Sequence, residues 1–159
     1  LLPFFVVLDG ITDVRNFGAI SRTCECAGVD AIVIQERNSV SVNADAIKTS
    51  AGALHYLPVC REKSVLSAVR FLKDNGIKII GASEKSSLNY TKADYTIPTA
   101  LVLGSEDTGI SQEVLKLCDE LVSIPEFGNI HSLNVSVAGG VMMYEVVRQR
   151  LNDNMEVVS

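Results

Sequence analysis

A polar turn reading SLNVS, residues 132–136, stands directly before a stretch that stays mostly apolar almost to Arg150. Such a turn leaves unpaired backbone amides and small polar side chains at a helix start, where a phosphate or a cofactor can be received. Ser132 and Asn134 are both able to cap the helix that follows. The active site is expected at this turn.

Two further loops carry residues of the same kind. In DGITDVRNFGAISR, Asn16 is expected to cap a helix whose apolar stripe is Phe17, Ile20, Cys24 and Ala27. Arg22 lies off that stripe, and helical side chains lean toward the N-terminus, so its guanidinium is expected to reach back toward Asn16. Its planar fork of donors suits a phosphate or a ribose oxygen. In GSEDTGIS, Gly104 and Gly109 flank the carboxylates of Glu106 and Asp107. The loop has neither the lysine of a P-loop nor a GxGxxG run, so a nucleoside without a polyphosphate fits it better. Glycines let a ligand approach the backbone, and Glu106 can orient a hydroxyl or a neighbouring arginine. A plain turn with Ser111 capping the next helix explains the glycines but leaves the carboxylate unexplained.

Elements able to position these loops follow from the hydrophobic pattern. Continuously apolar runs, FFVVLD, AIVIQ (31–35), KIIGAS (78–83), ALVLG (100–104) and ELVSIP (120–125), indicate strands covered on both faces. Helical patterns fill residues 16–28, 44–51, 64–75, 111–118 and 134–151, and the tail after Arg150 is expected to fray. The fold class is therefore α/β, a mainly parallel sheet flanked by helices, and its sites belong beyond the carboxyl ends of the strands. The three polar loops all follow strands. The last helix is apolar nearly all round, so the sheet or a second subunit should bury it. Gly139 and Gly140 each cost it roughly 1 kcal/mol relative to alanine, which close packing of another backbone would offset.

Composition excludes several classes. The 159 residues make one domain, and no apolar run reaches the roughly 18 residues needed to cross a bilayer. The net charge of −5 has the wrong sign for a protein that coats nucleic acid. If RNA is the partner, a local patch drawn from Arg15, Arg22, Lys48 and Arg61, or a further domain, must attract it. Cys24, Cys26, Cys60 and Cys118 have no CxxC spacing, and His55 and His131 stand alone, so no metal is expected and the thiols read as reduced in a cytoplasmic protein.

Taken together, NFGAISRT (16–23), LVLGSEDTGIS (101–111) and IPEFGNIHSLNVSVAGGVMMYE (124–145) resemble, in order and spacing, the three motifs of the SpoU/TrmH-type RNA ribose 2'-O-methyltransferases of the SPOUT superfamily. The ending YEVVRQR is similar to the branch acting on a guanosine of large-subunit ribosomal RNA. The resemblance implies a C-terminal deep trefoil knot, bound S-adenosylmethionine and a homodimer joined through the knotted region and last helix. It also implies that Leu103, Gly104, Ser105, Ile124 and Leu133 contact the cofactor. Arg22 matches the catalytic arginine, and Asn16, Glu106, Ser132 and Asn134 match polar site residues. On this reading Asn16 and Glu106 hold Arg22, which orients and polarises a ribose hydroxyl; a guanidinium is essentially always charged and makes a poor free base.

Two departures from the family pattern involve three residues. Glu126 stands where methionine is common, and Asp107 and Thr108 where small or basic residues are. Members of this branch commonly carry a small RNA-binding domain ahead of the catalytic one, and a chain beginning at Leu1 is expected to be part of something longer. Alternative readings are a tRNA ribose methyltransferase, a noncatalytic RNA-binding module of the same fold, and a flavodoxin- or Rossmann-type nucleotide binder lacking its phosphate loop.

Overall fold

The computed structural model describes residues 2–36 and 42–158. Six strands, β1 (Phe4–Asp9), β2 (Ala31–Gln35), β3 (Val59–Glu62), β4 (Lys78–Ala82), β5 (Thr99–Gly104) and β6 (Glu120–Val122), form one sheet in the order β3-β2-β1-β5-β4-β6. Every pairing within it is parallel. The continuous apolar runs follow from this arrangement, because alternate side chains of a strand covered on both faces enter different cores. Val6, Leu8, Leu101 and Leu103 pack on one side with Phe17, Ile20, Met142 and Val146, whereas Val7, Ala100 and Val102 pack on the other with Val65, Val69 and Val114.

Helices α1 (Val14–Cys26), α2 (Ala44–Thr49) and α5 (Val135–Val158) supply or border the first core, and α3 (Val65–Asp74) and α4 (Gln112–Leu117) the second. β1 leads outward to β2 and β3, and the chain then returns through β4 and β5 to lie beside β1. The strand order therefore reverses between β1 and β5, where Asp9 pairs with Gly104, and ligand sites in such sheets lie beyond the carboxyl ends of the strands near that point.

Four expectations are corrected. Sequence periodicity misses β3, since VCRE has a single β-branched residue and lies at the sheet edge, half-buried to exposed. Asp13, not Asn16, caps α1, its Oδ1 accepting from the amides of Arg15 (2.8 Å) and Asn16 (3.0 Å). A carboxylate one turn earlier starts the helix sooner and releases the Asn16 side chain. The last helix, expected to end near residue 151, continues to Val158, there being no glycine or proline in LNDNMEVV to stop it. Finally, a Cβ on Gly139 would meet the Leu103 side chain at 2.9 Å, so α5 approaches a side chain of β5 rather than another backbone; at Gly140 the nearest atom, on Thr23, is 3.7 Å away.

The last helix is bound tightly to the rest of the sheet. The Arg150 guanidinium donates to the carbonyls of Leu2, Pro3, Tyr95 and Ile97 at 2.9–3.1 Å and lies 5.2 Å from the centroid of the Phe4 ring. One turn back, Glu145 is buried and accepts from the Arg148 fork at 2.7 and 2.9 Å and from Gln149 at 2.8 Å. These bonds hold its carboxyl below the usual carboxylate range, with hydrogen bonding to Arg148 the main cause.

Candidate active site

A cleft of about 330 Å³ opens where β5, the 105–110 turn, the end of β6 and the start of α5 meet. Leu103, Gly104, Ser105, Ile124 and Leu133, the five positions expected to contact a cofactor, all line it, as does Glu106. Its floor is apolar, with Val122, Val135, Ala138 and Met142, and its rim carries Ser123 and Thr108.

Gly104 is required by close packing. A Cβ there would lie 2.2 Å from the carbonyl carbon of Gly109 and 2.3 Å from the nitrogen of Ile110. The turn that folds back this tightly is closed by the Gly109 amide donating to Ser105 O at 2.8 Å, with Gly109 at φ +69°. The hydroxyls of Ser105 and Thr108 bond each other at 2.8 Å. Ser111 stands at the start of α4, but its side chain makes no capping bond, which counts against the alternative of a plain turn that serves to cap that helix.

The third loop meets the first through Asn134. Its Oδ1 accepts from the Ser136 amide at 2.9 Å and from the Ser136 hydroxyl, which assigns its other atom as Nδ2. That Nδ2 donates to Glu106 Oε1 (2.9 Å) and to Asn16 Oδ1 (3.2 Å). Glu106 Oε1 also accepts the Val135 amide at 3.0 Å, so a carboxylate from the second loop satisfies an orphan donor at the N-terminus of α5. Of the two candidate caps, Asn134 is therefore the one used, and Ser132 is exposed.

Arg22 is placed differently from the expectation. It is exposed on α1, does not line the cleft, and makes no hydrogen bond or ion pair among the described residues, so neither Asn16 nor Glu106 holds it. Two causes are visible. Six residues along a helix leave Asn16 and Arg22 about 120° apart around its axis, and Asn134 already occupies the position between Asn16 and Glu106.

Residues from β4 were missed. Ala82, Ser83, Glu84 and Lys85 line the cleft, and applying the carboxyl-end rule to KIIGAS as well would have found them. Glu84, Glu106, Asp107 and Glu126 surround the cleft against the one ammonium of Lys85. A polyphosphate would be repelled by such a lining, whereas a cationic ligand is attracted.

No group of three or more potential metal ligands occurs among the described residues. All four cysteines are free. Burial pushes the Cys24 thiol far up and, as the chief cause, that of Cys118 up to about 11, so neither is a ready thiolate. No described helix is long and apolar enough to cross a membrane.

With this geometry in hand, the comparison that decides the lineage is the SpoU rRNA methylase family profile, which matches residues 3–144. The chain belongs to that family. A curated relative, the 23S rRNA (guanosine-2'-O-)-methyltransferase RlmB of Photorhabdus laumondii, is 40% identical over 148 residues, covering 93% of this chain and 61% of that protein. The crystal structure of the TrmH/SpoU tRNA modifying enzyme of A. aeolicus superposes with a TM-score of 0.88 at 31% identity, over 98% of this chain and 79% of that one. The SpoU methyltransferase AviRb of Streptomyces viridochromogenes, solved in complex with the cofactor AdoMet, superposes at 0.84 with 32% identity, over 93% and 60%. This chain spans about 60% of the length of the curated relatives it matches.

Proposed function

We propose that the chain is the catalytic domain of an S-adenosylmethionine-dependent RNA methyltransferase acting on a ribose 2'-hydroxyl, of a guanosine in large-subunit ribosomal RNA. One observation carries the reading: the cleft beyond the carboxyl ends of β5, β4 and β6 is lined by all five positions that match the family's cofactor contacts, and Glu106–Asn134–Asn16 joins it to the helix bearing Arg22. The lining fits the donor. Gly104 lets the 105–110 turn close back against β5 to form the wall, the floor suits an adenosine, and the surplus of carboxylates suits a sulfonium.

When bound, S-adenosylmethionine supplies a methyl group on a positively charged sulfur that leaves readily as a neutral thioether. The protein's task is to align an attacking ribose oxygen with that methyl and to ease loss of the hydroxyl proton. In this proposal Arg22 supplies fixed positive charge beside the developing alkoxide and orients the hydroxyl, while solvent or an RNA phosphate takes the proton. Asn134 keeps Asn16 polarised, with its Nδ2 turned outward as a donor for an RNA oxygen. Glu106 braces α5 rather than acting as a base, and Ser132, exposed at the rim, is assigned to contact with the acceptor.

A homodimer forms part of the proposal. Val137, Tyr144 and Leu151, spaced seven residues apart, are 52%, 49% and 58% exposed along α5, which is the stripe a second copy would cover. Packing there would bring a partner helix near the exposed 127–133 loop and supports completion of the acceptor side between subunits. The knotted threading of the C-terminal region and cytoplasmic residence are carried in the same proposal from the resemblance. Arg15, Arg22 and Lys48 lie exposed on α1 and α2, helices close enough that a Cβ on Gly18 would meet Thr49 at 2.6 Å, and they supply a local patch for RNA on an acidic chain.

The test is mass-spectrometric mapping of ribose methylation in total RNA from cells lacking the full-length gene and from a complemented strain. Loss and recovery of one 2'-O-methylguanosine in large-subunit RNA is expected. A lost mark in tRNA would reassign the substrate, and an unchanged methylation map would sink the enzymatic reading.

A further inference from the structure

The 105–110 turn forms one wall of the cleft, and its own closing bonds are internal: Gly109 to Ser105, and Ser105 with Thr108. Beyond the β5 ladder, hydrogen bonds among the described residues tie the turn and its exit to other elements at two places. One is Glu106, already bonded to the start of α5. The other is Asp9, whose Oδ2 accepts the Ser111 amide at 2.8 Å across a sequence separation of 102 residues.

Asp9 is well situated for such a tie. It is the last residue of β1, in register with Gly104, and the chain turns away immediately afterwards at Gly10, with φ +76°. Its backbone therefore belongs to the rigid sheet while its side chain projects past the strand end. Ser111 N–H precedes the first turn of α4 and has no intrahelical acceptor, and the Ser111 side chain makes no cap of its own. A carboxylate accepting a backbone amide forms one of the stronger hydrogen bonds available to a partly exposed site. Asp9 is not among the residues lining the cleft.

We propose that Asp9 is a positioning residue for the methyl donor: its bond to Ser111 holds the 105–110 turn down over Gly104 and so sets donor affinity without contact with the donor. The inference rests on the donor site proposed above. It also makes the first strand, which leads into α1, the helix bearing Asn16 and Arg22, the common anchor of the donor wall and the acceptor helix. Release of the bond lets the turn rise while the sheet beneath it is unchanged, so the loss should appear in binding rather than in global stability.

Calorimetric titration with S-adenosylmethionine, paired with thermal melts, tests this on the wild type, Asp9→Ala, Asp9→Asn, Ser111→Pro and the Asp9→Ala/Ser111→Pro double variant. Ser111 has φ −60°, which proline adopts, so that change deletes the donor hydrogen and leaves Asp9 in place. Asp9→Ala and Ser111→Pro should each raise the donor Kd about 5- to 10-fold, and the double variant should be no weaker than either alone. Asp9→Asn, which keeps an acceptor oxygen, should stay within about 2-fold of wild type, and all melts within about 3 °C of it. Wild-type affinity in Asp9→Ala, or multiplied losses in the double variant, would overturn the assignment. If Asp9→Ala does not fold, Ser111→Pro against wild type decides the same point. A wild-type chain that takes up no donor defeats the proposed function together with this inference, whereas normal wild-type binding with insensitive variants defeats the inference alone.

Discussion

The proposed donor side and the proposed acceptor side of the site are built to different standards. Around Gly104 the backbone is so close-packed that a single added carbon would overlap Gly109, and Glu106, Asn134 and Val135 are bonded to one another. At the acceptor side Arg22 is exposed and unpaired among the described residues, while Phe127 and Ile130 are 96% and 80% exposed. The contrast teaches that one chain can prepare a pocket for a small donor, whose shape is constant. A flexible polyanion needs surfaces that stay open until it arrives, and fixing them in advance would cost desolvation with nothing gained.

The largest effect should come from the open side. Arg22→Ala is expected to lower methylation about 100- to 1,000-fold, as loss of one preorganised charge donor does, with donor affinity within about 2-fold of wild type. Single-turnover assays beside calorimetry measure both, and equal losses would erase the distinction between the two sides. Gly104→Ala tests the closed side. Forcing the 105–110 turn outward should weaken donor binding roughly 10- to 100-fold and lower stability by about 1–3 kcal/mol, read by titration and melting.

A smaller effect is expected at the exposed stripe of α5 where the proposed dimer would form. Tyr144→Arg should weaken self-association by about 30-fold, visible as a shift toward monomer in sedimentation at micromolar concentration. Donor binding by the monomer should persist if the closed side is complete within one chain. Its loss would show that the pocket, too, needs the partner.

The smallest effect concerns α5 away from both sides. Because bonding to Arg148 keeps the folded pKa of Glu145 below its unfolded value near 4.3, this carboxylate contributes stability that is fully present above that pH. The contribution disappears as pH falls through the lowered folded value. Melting temperature should therefore decline below about pH 4.5, and less steeply in Glu145→Gln. An equal slope in both proteins would remove Glu145 from the account.

Much of the architecture was legible because burial on both faces writes unbroken apolar runs. β1, β2, β4 and β5 were found this way, whereas β3 was lost because an edge strand buries too little to write one. The cleft was legible in two ways: Gly104 and the short polar residues after β5 mark a place where backbone packs closely, and the five positions that match the family's cofactor contacts all line it. The partner of each side chain was less readable. Asn16 was read as a cap because it precedes an apolar stripe, but Asp13 takes that role, and Asn16 instead accepts from a residue 118 positions away.

Local chemistry written along the chain was enough to establish the class of fold, the three loops proposed to carry function and the family to which the chain belongs, since propensity, hydrophobic period and motif spacing all act over short stretches. Only the folded molecule decided that Asn134 stands between Asn16 and Glu106, that Arg22 is left to solvent, and that Asp9 reaches Ser111. Those are contacts between strands and loops distant in sequence. Their geometry depends on sheet order and on the angle at which each helix leaves its strand, quantities that no single segment encodes.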